Sequence, residues 1–486
     1  MRVSRLPAAQ HIIDGTTRVF LADALILPTN LLTVVFLTRR LGPDGFGLFA
    51  IASSIVLWIE ASINTIFFRP TLKTVADHHD WRDVGATIVR LHLRVSVAAG
   101  LIMMLLTPFL GTLLRQPGLL SYLWLFSIDI PLAGLTDAHR NLLVGSGGFR
   151  QRALASSARW IGRLLLIVTL VEIGLSVYGV ILGNIGGSLI ELVIVRAYIR
   201  PPLWNLTKVS LPGFWNCFWP LVLFSISIAV FNKLDLLILK MLGATTDQAG
   251  LYAAGQALAV VPGIFAMSFS PLLLSTVSGL IRCGDIDAAK KISLQAMRVI
   301  IVLLPFAGMT AGMSEELVDL VFGPVFRPAA PVLSLLIFAA LAMAMLAVVS
   351  AILTAAGKPN LVLLQGAILL PLAVAGHFLL IPRFGLIGAS TVTTCCAIFG
   401  ALGSIAAVYR VWDVLPPIRT VIRASIVCAI AFAFASGWPG LQGFVILKIF
   451  VISLGVGVLF FVFREFGATE IRLVKSLMSS RISPNG

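Results

Sequence analysis

Ionisable residues stand out within or at the ends of stretches otherwise too apolar for a protein surface, among them Asp23, Glu60, Arg94, Asp129, Arg159, Arg163, Lys233, Asp235 and Arg298. A charge at the centre of a bilayer costs on the order of 3 kcal/mol on insertion scales, so such groups either pair or do work. Arg159 and Arg163 are four residues apart, which projects two guanidinium groups from one helix face. Like charges so placed are unfavourable unless an anion lies between them or acids answer them, and the planar guanidinium fork suits phosphate or carboxylate. The carboxyls Asp23, Glu60, Asp129 and Asp235 could bind hydroxyl groups, pair with the arginines, or carry a coupling proton or sodium ion. Asp23 and Glu60 are the candidates for ion coupling. Pairing alone is the plainer alternative: Asp129 and Arg163 sit at similar depth on neighbouring spans, and Asp23 or Glu60 could answer Arg159. Arg94 and Arg298 lie about two turns from one membrane face and Lys233 lies toward the other, so all three could snorkel.

Other chemistries lack their residues. Five cysteines are scattered through the chain, in neither a disulfide framework nor a metal spacing. There is no G-x-x-x-x-G-K-[ST] loop for ATP and no nucleophile–base constellation. No catalytic residue, metal or cofactor is therefore expected beyond a coupling H+ or Na+, and the chain is not expected to be an enzyme. Polar stripes accompany the charges instead. Glu60 and Asn64 share a face, as do Asp23 and Asn30, and Ser225, Asn232 and Asp235.

The elements that carry these residues are dictated by composition. Of 486 residues, 58% are hydrophobic and 12% charged, where soluble domains carry roughly a quarter charged residues. Apolar stretches of about twenty residues recur throughout, each long enough to cross a bilayer as a helix, and backbone satisfaction in lipid favours helices. About fourteen spans are predicted. Asp23 falls in 17–39, Glu60 in 45–67, Asp129 in 119–143, the arginine pair in 152–172, and Lys233 and Asp235 in 213–240.

The net charge of +15 is not a nucleic-acid signal. Basic residues sit in alternate loops, leaving only Arg39, Arg40, Arg115, Lys240, Arg327 and Arg383 on one side. That asymmetry predicts both termini in the cytoplasm. No cleavage site follows the first apolar run, so no removable signal peptide is expected.

The chain also repeats itself. The run N-K-L-D-L-L-I-L-K-M-L-G-A-T-T-D-Q-A-G-L-Y-A-A from Asn232 matches V-F-L-T-R-R-L-G-P-D-G-F-G-L-F-A from Val35, pairing Gly42 with Gly243 and Gly47 with Gly250. Further matches, Arg94 with Arg298 and Gly147 with Gly357, keep an offset of roughly 200 to 210 residues. Six spans per copy is even, so the copies share one orientation about an axis along the membrane normal. The predicted domains are a six-helix lobe over 1–208, its repeat over 209–411, and two extra helices with a tail over 412–486. At the repeat offset Arg159 corresponds to Leu369 and Arg163 to Ala373, so the charge belongs to the first copy.

At these junctions the sequence resembles the Wzx-type O-antigen and exopolysaccharide flippases of the multidrug/oligosaccharidyl-lipid/polysaccharide (MOP) exporter superfamily. The resembling residues are L-T-R-R-L-G-P-D-G-F-G-L-F at 37–49, N-K-L-D at 232–235, A-G-L-Y-A-A at 249–254, S-A-I-L-T-A-A-G-K-P at 350–359 and F-G-L-I-G-A at 384–389. The resemblance implies an all-α polytopic fold with two six-helix lobes around a cavity plus two helices. It implies transport of undecaprenyl-pyrophosphate-linked oligosaccharide across a bacterial inner membrane by alternating access, beside polysaccharide polymerase and export machinery. Arg159 and Arg163 would then meet the diphosphate. Arg94, Arg298 and Lys233 would serve along the route, with Glu60, Asp129 and Asp235 at the sugar. A cation-coupled multidrug exporter, a lipid II flippase and a membrane glycan polymerase or ligase are the alternatives. The paired arginines disfavour a cationic drug, the first span lacks an R-D-x-L-I-A-R-x-F-G-type opening, and the outer loops are too short for a catalytic domain.

Overall fold

An α-helix of fifty residues is about 75 Å long, more than twice the roughly 30 Å of a bilayer's hydrocarbon core. Three helical stretches among the described residues reach that length, and each is broken internally by a glycine in the left-handed region. The computed structural model describes residues 25–77, 81–201, 234–438, 444–463 and 465. Within them α1 (Ile26–Asp77) breaks at Gly42, φ +66°, and α13 (Pro359–Trp412) at Gly385, φ +54°. Helices α5 (Phe149–Leu170) and α6 (Ser176–Tyr198) run together through a π-turn, Val171–Leu175, that breaks at Gly174, φ +100°.

These breaks make hairpins. Across α5 and α6, Gly162 lies against Ile190, Gly183 against Ile167 and Gly179 against Leu170, contacts that close in on Gly174 from both sides. In α13, Gly400 lies on Leu369 and the Ser404 hydroxyl donates to Gln365 at 3.1 Å, on either side of Gly385. Nine helical stretches among the described residues are long and apolar enough to span a membrane, and these three could each cross twice, consistent with the fourteen predicted spans. The corners recur at the repeat offset: Gly42 and Gly243, Gly147 and Gly357, and Gly174 and Gly385 all have positive φ. Side chains with a Cβ are disfavoured there, which is why these glycines mark the duplication.

The remaining helices are α2 (Trp81–Leu113), α3 (Leu119–Ser127), α4 (Asp129–Gly145), α7 (Thr246–Ala259), α8 (Val261–Arg282), α9 (Ile286–Val302), α10 (Leu304–Gly312), α11 (Ser314–Phe322), α12 (Ala330–Ala355), α14 (Ile418–Gly437) and α15 (Val445–Val462). The chain divides into two compact units, residues 1–257 with 374–389, and residues 258–373 with 390–486. Val89, Leu142, Ala155 and Val195 form a core of the first unit; Met297, Ile300, Val348 and Ile352 belong to a core of the second. In the second unit, Gly308 and Gly312 let α10 close onto α14. A Cβ on either would come within 2.6 Å of the Cys428 or Phe432 carbonyl oxygen. Outward faces are apolar, with Leu105 80% and Ile446 74% exposed, as expected of helices solvated by lipid rather than water.

Candidate functional site

Several charged residues of the first unit converge on the α5–α6 hairpin. Gly187 of α6 sits under Arg163, and a Cβ there would lie 2.9 Å from the Arg163 Cβ. That close approach brings the next turn of α6 level with Arg159. Glu191, fully buried, accepts from Arg159 Nη1 at 2.8 Å through Oε2 and from Arg140 Nη1 at 3.3 Å through Oε1. Arg140 also pairs with Asp137 at 2.5 Å, one turn back on α4. Three helices are thereby tied by a buried network of alternating charge, the form in which buried ions are tolerated.

Of the two acids considered as partners of Arg159, Glu60 is not the one hydrogen-bonded to it. The answering acid is Glu191, because the hairpin sets α6 beside α5 in a register that spacing along either helix alone does not define. Asp23 itself lies outside the described residues.

Arg163 is held differently. Its Nη1 donates to Asn30 Oδ1 at 2.9 Å, a neutral acceptor on α1, and it has no carboxylate partner among the described residues. The expected pairing of Arg163 with Asp129 is not a direct one: Asp129 is buried with Oδ1 unpartnered, and the two charges act on each other without a hydrogen bond. Trp160 lies between the arginines in sequence, and both guanidinium carbons stand 5.4 Å from its ring centroid. A cation over an indole face is attracted to it, so Trp160 pins both side chains.

Several polar atoms of this region have no partner. They are Glu60 Oε1, Asp129 Oδ1, Ser188 Oγ, and the Nε atoms of Arg159 and Arg163. Buried polar groups are nearly always satisfied, so this concentration of open donors beside open acceptors points to a ligand or water. Donors suit phosphate oxygens, and the carboxyl oxygens suit hydroxyl groups. At the repeat-related positions of the second unit, Leu369 and Ala373 are buried apolar residues, with Leu369 packed under Gly400. That seam carries no such chemistry.

The other predicted residues that the structure describes make different contacts. Asp235 is buried and satisfied, accepting from Tyr252 Oη and Gln256 Nε2, each at 2.8 Å, and from the Leu236 amide. It anchors α7 to the helical segment 234–241. Arg94 is exposed on α2. Arg298, in the second unit, bonds through Nε to Glu465 at 3.0 Å, and Arg423 reaches the same carboxylate at 3.0 Å. Burial raises the Glu465 carboxyl, but hydrogen bonds from Thr420, Arg423 and Arg298 outweigh it and hold the group below the usual carboxylate range. Lys233 lies outside the described residues.

Sequence reasoning missed Glu191, Asp137, Arg140 and Trp160. Glu191 had a readable signal: an acid in an apolar span, four residues after Gly187 and so on the face that a glycine opens to a neighbour.

Comparison with known proteins bears on the whole arrangement. The model of a family described as polysaccharide biosynthesis protein matches residues 36–331, which takes in the charge cluster and the repeated junction. No curated protein matches the chain in sequence. In fold, the chain is similar to the lipid II flippase MurJ in an inward closed conformation, with a TM-score of 0.76 at 14% identity, over 93% of this chain and 99% of that one. It is also similar to an inward-facing MATE family multidrug resistance transporter of the MOP superfamily (TM-score 0.64, 13% identity, 79% and 95% covered). A MOP superfamily transporter from Pyrococcus furiosus gives 0.57 at 12% identity, with 86% and 96% covered. At such identities the likeness is one of fold.

Proposed function

Because the chain belongs to the polysaccharide biosynthesis protein family, we propose that it is a flippase for undecaprenyl-pyrophosphate-linked oligosaccharide. It would move that substrate from the cytoplasmic to the outer leaflet of a bacterial inner membrane by alternating access, with both termini cytoplasmic. Arg163 carries this reading: a half-buried guanidinium held by the neutral Asn30 and the Trp160 face, with no carboxylate hydrogen-bonded to it among the described residues. A diphosphate supplies the charge it lacks, through charge-assisted hydrogen bonds. Arg159, already paired with Glu191, contributes its open Nε.

Glu60 and Asp129 would accept from sugar hydroxyls beside the diphosphate, and Glu60 is the candidate to carry a coupling proton. Arg94, Arg298 and Lys233 are left as contacts along the route. The neighbouring polymerase and export machinery would take the delivered glycan.

Deletion of the gene tests the reading: surface glycan is expected to disappear while the lipid-linked precursor accumulates on the cytoplasmic side. Unchanged glycan and precursor would overturn it. The open carboxyl oxygens of Glu60 and Asp129 favour one second reading, a cation-coupled drug exporter. Under that reading the deletion strain gains drug susceptibility and keeps its glycan.

A further inference from the structure

Five further buried polar atoms of the first unit have no hydrogen-bond partner among the described residues: Thr71 Oγ1, His92 Nδ1 and Nε2, Ser96 Oγ and Asn141 Oδ1. Thr71, His92 and Ser96 are wholly buried, and Asn141 is 1% exposed. Buried polar groups are nearly always satisfied, so open atoms gathered in this way point to bound water.

They follow one line. Glu60, Asn64, Phe67 and Thr71 are spaced by four, three and four residues, which puts them on one face of α1. At 1.5 Å per residue that stripe is about 16 Å long, half the thickness of a bilayer core. Asn64 Oδ1 accepts from Asn141 Nδ2 on α4 at 3.1 Å. Phe67 lies flat on His92 of α2, with ring centroids 4.3 Å apart and planes 12° from parallel. Gly134 brings α4 against this part of α2: a Cβ there would collide with the Ser96 side chain and come within 3.6 Å of the His92 ring. The open atoms therefore line the seam of α1, α2 and α4. One end is the open Oε1 of Glu60; the other is Thr71, toward the side that the charge asymmetry assigns to the cytoplasm.

Two wholly buried histidines stand near this seam, and they differ. His139 has both nitrogens engaged: Nδ1 donates to the Leu135 carbonyl at 2.8 Å, and Nε2 faces Arg196 Nη1 at 3.4 Å. His92 has neither engaged. The charged and titratable groups acting on it, Arg140 and His139, are both on α4, and its α1 neighbour Phe67 carries no charge. A neutral imidazole accepts at one nitrogen and donates from the other, as a proton shuttle must. Each proton taken up at one nitrogen is matched by one released from the other, and a turn of the ring restores the first tautomer.

We infer that the α1–α2–α4 seam conducts the coupling proton between Glu60 and the cytoplasmic side, with His92 as its relay. The inference rests on the reading above in which Glu60 carries that proton.

The test is glycan export in cells at matched protein levels, with the transmembrane pH gradient intact or collapsed by nigericin in potassium medium. Wild-type export is expected to fall several-fold on collapse. His92→Gln still hydrogen-bonds but cannot pass a proton on, and is expected to export at the collapsed rate under both conditions. His92→Phe stacks on Phe67 and loses both nitrogens; it should do the same, and it stands in if glutamine prevents folding. Unfolding temperature in detergent, unchanged in at least one of the two, separates a relay from a packing residue. Variants that keep the wild-type dependence on the gradient, or that export nothing under either condition, would overturn the relay. A wild type indifferent to the gradient would overturn it too, while leaving the flippase reading to the deletion strain. Failure of that reading shows separately, as glycan and precursor unchanged on deletion.

Discussion

Arg159 and Glu191 lie 2.8 Å apart across the α5–α6 hairpin, with the carboxylate wholly buried and shared with Arg140. The pairing divides the labour between the two arginines of α5. One is held by a buried acid, while the other, a turn away, is bonded to the neutral Asn30. Removing one member of a buried pair strands the other, typically at about 3 to 5 kcal/mol. Glu191→Leu is therefore expected to lower thermal stability in detergent sharply. Adding Arg159→Leu should recover part of the loss, though not the share owed to Arg140. A double-mutant cycle in unfolding temperature checks this; simple additivity would mean the pair contributes nothing.

Arg163 should behave in the opposite way. Arg163→Ala removes a bond to a neutral partner, so the protein is expected to accumulate and unfold much as before while glycan export falls by an order of magnitude or more. Arg163→Lys keeps the charge and loses the planar fork, and should retain partial export. Export assayed at matched protein levels decides it; normal export by Arg163→Ala would remove Arg163 from the substrate path.

Trp160 is expected to act through the arginines it touches. Phenylalanine preserves a quadrupolar face of lesser strength, whereas leucine removes it. Export should fall in the order Trp160, Trp160→Phe, Trp160→Leu, with apparent affinity for the lipid-linked substrate weakened more than the maximal rate. A loss confined to protein level would instead make Trp160 a packing residue.

Much of the fold could be read from the chain because its signals are local. Helix length against bilayer thickness, and glycine at each corner, declare the spans and the duplication; Gly42 and Gly243 match in sequence and in backbone conformation. That Arg159 and Arg163 share a face followed from their spacing alone. What answers them did not, because partners across a hairpin depend on register, and register here is set by Gly162, Gly183 and Gly187 packing against Ile190, Ile167 and Arg163. The partners of Asp235 were hidden for a similar reason. An acid in an apolar span is a functional signal until its donors, Tyr252 and Gln256 on the following helix, are seen.

Gly187 tests whether close packing sets the hairpin register. At Gly187 an added Cβ would approach the Arg163 Cβ to 2.9 Å, with backbone of the same helix turn 3.5 Å away. Gly187→Ala is expected to cost about 1 to 3 kcal/mol as overpacking, and Gly187→Val more. Because α6 must then move outward, Glu191 is also drawn from Arg159, so export should decline with stability. Gly186, one residue along, meets only the end of the Leu166 side chain, which can swing aside, so Gly186→Ala is the control. Equal effects at the two glycines would show that the seam tolerates separation and that hairpin register is held elsewhere.

Glu465 offers a pH test outside the spans. Its carboxyl is held below the usual range by Thr420, Arg423 and Arg298, so the bonded, ionised form favours the folded state. For a depressed group, that contribution is complete above the unfolded carboxyl value of about 4.3 and disappears as pH falls through the lower folded value. Thermal stability of the wild type should therefore drop on acidification below about pH 4.3. Glu465→Gln, which keeps an acceptor for Thr420 and the arginines without a titrating proton, should be less stable at pH 7 and lose less on the way down. The two unfolding curves are expected to converge in acid. Parallel curves would mean that the carboxylate linking Arg298 and Arg423 adds no pH-dependent stability, and that the second unit is held at this end by helix packing alone.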